Sequence, residues 1–375
     1  MPSDWDCSHQ PPSNQAAWFL RSSRGSDPLE VGVAPFTPPS AHQIVVKNCA
    51  VAINAVDWTK QLMGRLIFSW IKYPFVLGND CAGEIVQVGD MVSHIKVGDR
   101  VLAHALSMDK AVNNPSEGAF QRYTVIRDNM ATRLASFPRS INCRNCLVRT
   151  RLSLALNRPG IPLAIGPDWC PEVVLIWGGS TSVGCNAIQL AAAAGYEVIT
   201  TCSPRNFAYV TNLGASAVFD YNDKLTIQEI VELMDNKKVV GAIAIGNNSI
   251  EPCIEVLSRT DGSKFVVRTA FPFLARSPIF FNIFHEIATS VWENFKIWKK
   301  AKRCGVKTKF VSGTSAAHTE IGAMIYNEFL TEALATGAFV AAPKPNVIGR
   351  GLDRIQLAMY THKRGVSAQK VVVSL

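Results

Sequence analysis

The sequence has no long uninterrupted hydrophobic run, no basic start followed by an apolar stretch, and no block of one charge sign. The first absence argues against a membrane span. The second argues against a secretory leader, so a cytoplasmic, reducing setting is expected, and several of the ten cysteines sit inside apolar runs as buried free thiols do. The third leaves the net charge of +9 scattered, and a nucleic-acid partner is not expected. The densest basic cluster, KIWKKAKR at 296–303, is short. There is no G-x-S-x-G elbow for a serine nucleophile and no H-E-x-x-H among the seven histidines. Cys143 and Cys146 form a C-x-x-C pair without a second pair at finger-like spacing, so no structural zinc is expected.

What is present has two textures. After a Pro- and Ser-rich arm over 1–40, short β-like runs separated by Gly-Asp turns begin near 43 and read as a small barrel or sandwich. From 172 the pattern alternates strand and helix. Glu172–Trp177 is a continuous apolar run, as expected of a strand covered on both faces. Ala187, Ile188, Leu190, Ala191 and Ala194 then keep helical spacing up to Gly195. EVITTC, AVFDY, VVGAIAI and KFVV read as further strands of a parallel α/β sheet. At 375 residues, two domains are expected.

Between the first strand and helix lie Gly178, Gly179 and Gly184. Glycines there let a phosphate approach backbone N–H groups at a helix N-terminus. A P-loop would need Lys after Gly184, where Cys185-Asn186 stand, so a dinucleotide fold remains. NAD sites carry an acid about twenty residues past the loop. This chain has Ser203, Pro204, Arg205 and Asn206 instead. Ser203 can donate to a 2′-phosphate and Arg205 can pair with it, so NADP(H) is the expected cofactor. The alternative is a solvated turn.

The motifs AINAVDW (52–58), VLGNDCAGEIVQVGD (76–90), VGDRV (97–101), GAFQRYTV (118–125), GGSTSVG and GASAVFDY (214–221) occur in an order that resembles the medium-chain dehydrogenase/reductase superfamily. Within it the chain is most similar to fungal zinc-free enoyl reductases that act in trans beside polyketide synthases. The resemblance implies an α/β fold: a GroES-like β-barrel catalytic domain over 41–160 and 345–375, and a Rossmann doubly wound parallel sheet over 161–344. It implies Val56, Asp57, Trp58, Thr59 and Lys60 near the nicotinamide, with Lys60 either lending electrostatic help to catalysis or binding the cofactor phosphate or ribose. Gly179, Ser180, Thr181, Ser182 and Val183 would line the pyrophosphate. Ser203, Pro204, Arg205 and Asn206 would hold the adenosine phosphate, and Tyr221 would stack near the adenine. Val267 and Arg268 would offer backbone to the nicotinamide, with Val366 and Ser367 on the C-terminal return. Zinc-dependent members carry Gly-His-Glu where this chain has Gly78-Asn79-Asp80, so no catalytic metal is expected.

The implied activity is NADPH-dependent reduction of a C=C bond conjugated to a carbonyl, in an enoyl thioester. Two alternatives stay open: a stand-alone quinone or alkenal reductase, and a cofactor-binding protein without turnover. An acyl-carrier region of a polyketide synthase is the implied partner, and a monomer is expected. One segment departs from the relatives. NCRNCLVRTRLSLALNRPG (142–160) places arginines 144, 149, 151 and 158 where small residues are expected near the thioester, with Thr150, Arg151, Leu152 and Ser153 as substrate contacts. A damaged or remodelled segment is favoured over a dedicated anion site. SPIFFNIFHEI (277–287), with Ile283 and Phe284, is either an acyl-tunnel wall or ordinary helix core. The wider stretch FPFLARSPIFFNIFHEIATSVW (271–292) reads as pocket wall or core, with peripheral membrane contact as the other reading.

Overall fold

The computed structural model describes residues 12–21, 27–134, 172–269 and 283–375, with only the backbone described for 283–287. Two large sheets organise it. One is all parallel, with strand order Ala217–Asp220, Glu197–Cys202, Glu172–Trp177, Lys238–Ala244, Phe265–Arg268 and Lys307–Phe310. The chain starts in the middle of this sheet, moves outward to one edge and crosses back, so the order reverses between Glu172–Trp177 and Lys238–Ala244. In open parallel sheets the carboxyl ends of the strands at such a switch point are where a ligand crevice forms. Val173, Leu175 and Ile199 face one hydrophobic cluster, and Val174, Ile176 and Val198 face the other, which explains the unbroken apolar run.

The other large sheet is mixed. Its main path runs Lys344–Arg350, Gln369–Ser374, Gln43–Ala52, Asp80–Val88, Arg100–His104 and Ala131–Arg133, and Tyr123–Arg127 pairs with Gln43–Ala52. Residues from the end of the chain thus join strands from its beginning, through Val372↔Ala52 and Val373↔Val51.

The arm expected over 1–40 is not loose where it is described. Asn14–Phe19 pairs antiparallel with Glu30–Ala34 and with Phe75–Val76. Ala16, Ala17 and Phe19 are buried in the core of the mixed-sheet region. Asn14 donates from Nδ2 to Gln121 Oε1 at 3.0 Å, which ties the arm down. Among the described residues no helix is long and apolar enough to cross a membrane.

Candidate active site

The glycine turn sits at the switch point, directly after Glu172–Trp177. Gly178 has φ +97°, open to glycine at little cost. A Cβ on Gly179 would collide with Thr200 Oγ1, and one on Gly184 with the Gly178 carbonyl, so the turn and the helix lie too close for side chains there. The turn is fastened to the neighbouring strand: Gly179 N–H donates to the Thr201 carbonyl at 2.8 Å, and Gly178 N–H to Thr201 Oγ1 at 3.2 Å. Thr181 caps the helix Ser182–Ala193, accepting from Gly184 N–H at 3.0 Å and donating to the Gly178 carbonyl at 2.8 Å. Ser182 Oγ is buried and has no hydrogen-bond partner. A buried hydroxyl without a partner, at a helix N-terminus with glycine walls, fits a phosphate group. Ser180 and Val183 are half-buried on the same turn.

At the end of the next strand, Ser203 Oγ lies 3.3 Å from Tyr221 OH. Pro204–Asn206 forms one turn of 3-10 helix that leaves Arg205 exposed. Asn206 is buried, and its Nδ2 donates to Ser367 Oγ at 3.2 Å. Val366 is half-buried against the core of the mixed-sheet region. The structure therefore brings Ser203, Arg205, Asn206, Tyr221 and Ser367 to one place.

At the expected nicotinamide end the helix Ala55–Met63 corrects part of the sequence reading. Trp58 and Val56 are half-buried, and Trp58 Nε1 donates to His362 Nδ1 at 3.0 Å. Burial, reinforced by Lys370, lowers the His362 pKa to about 4, so the ring is a neutral acceptor near pH 7. The other side chains point inward. Thr59 Oγ1 donates to the Ala55 carbonyl at 2.6 Å. Asp57 is fully buried and accepts the Asn54 N–H at 2.7 Å, closing a capping box. Lys60 is fully buried, and its Nζ donates to the carbonyls of Gly64 at 2.7 Å, Ile67 at 2.8 Å and Phe68 at 3.2 Å. Its ammonium thus fastens the loop after the helix, and the reading of Lys60 as a catalytic group is not supported by where it lies. A long side chain has reached inward because three carbonyls needed a donor.

Val267 is buried within its strand, and the Arg268 carbonyl accepts the Val311 N–H at 3.0 Å within the sheet. The Arg268 guanidinium donates to Asn294 Oδ1 at 3.0 Å. The expected backbone contact from these two residues competes with sheet bonding. Thr150, Arg151, Leu152 and Ser153 lie outside the described residues, as do Cys143 and Cys146. Ile283 and Phe284 open the helix Ile283–Arg303, and their side chains lie outside the described residues.

Sequence reasoning missed a buried charge cluster beneath the helix. Asp80 Oδ2 is 2.9 Å from Lys370 Nζ, and both side chains are nearly inaccessible. Asn54 bridges them, donating from Nδ2 to Asp80 at 2.8 Å and accepting from Lys370 at 2.7 Å. Burial alone would raise the Asp80 pKa, but Lys370 and His104 override it and hold the carboxyl well below the usual range. Asn79, at the position of the zinc-ligand histidine in the family motif, donates from Nδ2 to the Ala105 carbonyl at 3.0 Å. Among the described residues no group of three or more His, Cys, Asp or Glu side chains could hold a metal ion. Lys370 and Asp80 are 290 residues apart, so no local spacing could have linked them.

Comparison with known proteins agrees with this architecture. The alcohol dehydrogenase GroES-like domain matches residues 40–136. The dehydrogenase pigH of Monascus ruber is 44% identical over 374 residues, covering 97% of this chain and 100% of that protein. The trans-enoyl reductase himH of Aspergillus japonicus is 31% identical over 370 residues, covering 96% of this chain and 97% of the relative. Among solved structures, the Escherichia coli quinone oxidoreductase in complex with NADPH superposes with a TM-score of 0.63 at 17% identity, over 96% of this chain and 100% of that one, a likeness of fold. The glycine turn at the switch point, the returning C-terminal strand and full-length similarity to fungal dehydrogenases and trans-enoyl reductases agree, and the chain belongs to the medium-chain dehydrogenase/reductase superfamily.

Proposed function

We propose that this chain is an NADPH-dependent, zinc-independent enoyl reductase, reducing a C=C bond conjugated to the carbonyl of a thioester held by a polyketide synthase. The observation that carries the reading is the pairing of two features at the carboxyl ends of neighbouring strands. The glycine turn presents a buried, unpartnered Ser182 hydroxyl. Beyond it, Ser203, Arg205 and Tyr221 stand where an NAD site would carry an acid. A carboxylate there would repel a 2′-phosphate, whereas an exposed guanidinium attracts it. The name trans-enoyl reductase carried by himH supports the reaction class.

Bound NADPH would supply the hydride for the β-carbon of the substrate. The chain's own residues bind and orient. The Ser182 hydroxyl and the N–H groups that open the helix Ser182–Ala193 would hold the diphosphate end, with Thr181 fastening the turn around them. Asn206 and Ser367 join the adenosine end of the crevice to the C-terminal return. Trp58, fixed by neutral His362, forms a rigid half-buried wall at the nicotinamide end. The Lys370 ammonium lies against Asp80, at the motif position where zinc-dependent members bind their metal, and Asn79 is a poor ligand. Both support chemistry without a Lewis-acid metal.

The test is to mix the purified chain with NADPH and follow the reduced-nicotinamide absorbance, first with a crotonyl thioester and then with a quinone. Thioester-dependent oxidation is the expected result. Oxidation with quinone alone, or cofactor binding with no oxidation by either acceptor, would overturn the proposal.

A further inference from the structure

The helix Ile283–Arg303 is anchored by one face. Ser290 and Ala301 are buried, Ile297 and Cys304 pack against the core beneath the parallel sheet, and Asn294 receives the Arg268 guanidinium. A neighbouring face is bare. Trp292, Phe295 and Trp298 are 57%, 47% and 56% exposed, large values for such side chains. Their rings form one row: Trp292 and Phe295 have centroids 5.9 Å apart, Phe295 and Trp298 5.8 Å, each pair tilted by 28°. Because the anchored face is fixed in the core, the helix cannot roll to bury this row.

Cations flank it. Lys296 Nζ lies 5.8 Å from the Trp292 ring centre, and Lys302 Nζ 5.2 Å from that of Trp298. Five of the eight residues from 296 to 303 are Lys or Arg and none is acidic. Glu293 and Glu255 pair with Lys296 and Lys300, which leaves the Lys299, Lys302 and Arg303 end of the helix strongly positive.

We infer that this face is a docking surface for an anionic lipid interface, seating the indole and phenyl rings among the headgroups with the lysines against their phosphates and carboxylates. A second copy of the chain is disfavoured, because a self-complementary contact would set the same cations against each other. A folded acidic protein would need a groove matching a convex ridge of three rings, whereas a lipid interface deforms around it. Aromatic rings edged by Lys and Arg are the composition that settles at a headgroup boundary.

The experiment is co-sedimentation of the full chain with phosphatidylcholine vesicles, with and without phosphatidylserine. The expected result is at least about a hundredfold stronger partitioning onto the anionic vesicles, weakening as salt is raised. W292S/W298S should abolish it, and K299Q/K302Q/R303Q should weaken it by roughly a hundredfold. Both variants should keep the wild-type urea midpoint, which shows that they fold. Equal or absent partitioning on the two vesicle types overturns the inference. So does a wild-type dimer that W292S/W298S makes monomeric, or an acidic carrier protein that binds this face while vesicles do not.

Discussion

Asn206 and Ser367, 161 residues apart, meet side chain to side chain, with Nδ2 donating to Oγ at 3.2 Å. One follows a strand of the parallel sheet and the other precedes the last strand of the mixed sheet. The bond ties the mouth of the crevice to the C-terminal return, so it pre-organises the place where the adenosine phosphate would sit. Ser367→Ala removes a partly buried hydrogen bond worth about 0.5–1.5 kcal/mol. The expected outcome, read by fluorescence titration, is a roughly fivefold rise in the NADPH dissociation constant.

Arg205 carries the predicted choice between the two nicotinamide cofactors. It is exposed beside Ser203 and Tyr221, so its guanidinium is free to approach a phosphate. A charge-assisted bond to the 2′-phosphate contributes about 1.5–3 kcal/mol. Arg205→Ala should therefore weaken NADPH binding by roughly ten- to a hundredfold and leave NADH binding unchanged. Equal losses for both cofactors, measured by calorimetry, would show that Arg205 does not read the extra phosphate.

The parallel sheet was legible because its signals are local. Burial on both faces leaves Glu172–Trp177 without alternation, and Gly195, with φ +82°, ends the next helix where the spacing stops. The turn and the missing acid at Ser203 were legible for the same reason. The arm was misread because Asn14–Phe19 and Glu30–Ala34 are short and set among prolines and serines, and their pairing with Phe75–Val76 is non-local. The inward side chains of Asp57, Thr59 and Lys60 were hidden by their polarity, which ordinarily predicts exposure. Each is buried because a backbone group, at Asn54, Ala55 or Gly64, satisfies it. The Asp80–Lys370 pair is long-range, and nothing in either segment announces it.

Lys60 provides a direct contrast between structure and chemistry. Burial, aided by Arg65, lowers its pKa to about 8, yet it still supplies the donor for three carbonyls. Lys60→Met keeps the aliphatic stem and removes that donor. The variant should lose about 1–3 kcal/mol of stability, measured as a lower urea midpoint, and keep its turnover per folded molecule. A variant of wild-type stability with abolished turnover would return Lys60 to the chemistry.

Asp57 gives the pH dependence its sign. Burial raises its pKa from 3.8 to about 7, against the pull of the Asn54 and Gly78 amides and of Lys370, with the Asp80 charge adding to the rise. Between those two values the native state holds a proton that the unfolded chain has released. The native state therefore binds more protons there, and stability falls as pH rises through that window, levelling off above about 7. Asp57→Asn retains an oxygen to accept the Asn54 N–H, and it removes the titration. Asp80 and Lys370 are common to both proteins and cancel in the comparison. The variant should gain on the wild type by up to about 1.4 kcal/mol per pH unit across the window. Urea midpoints at pH 5, 6, 7 and 8 measure the difference, and parallel pH profiles for the two proteins would show that Asp57 is already ionised in the fold.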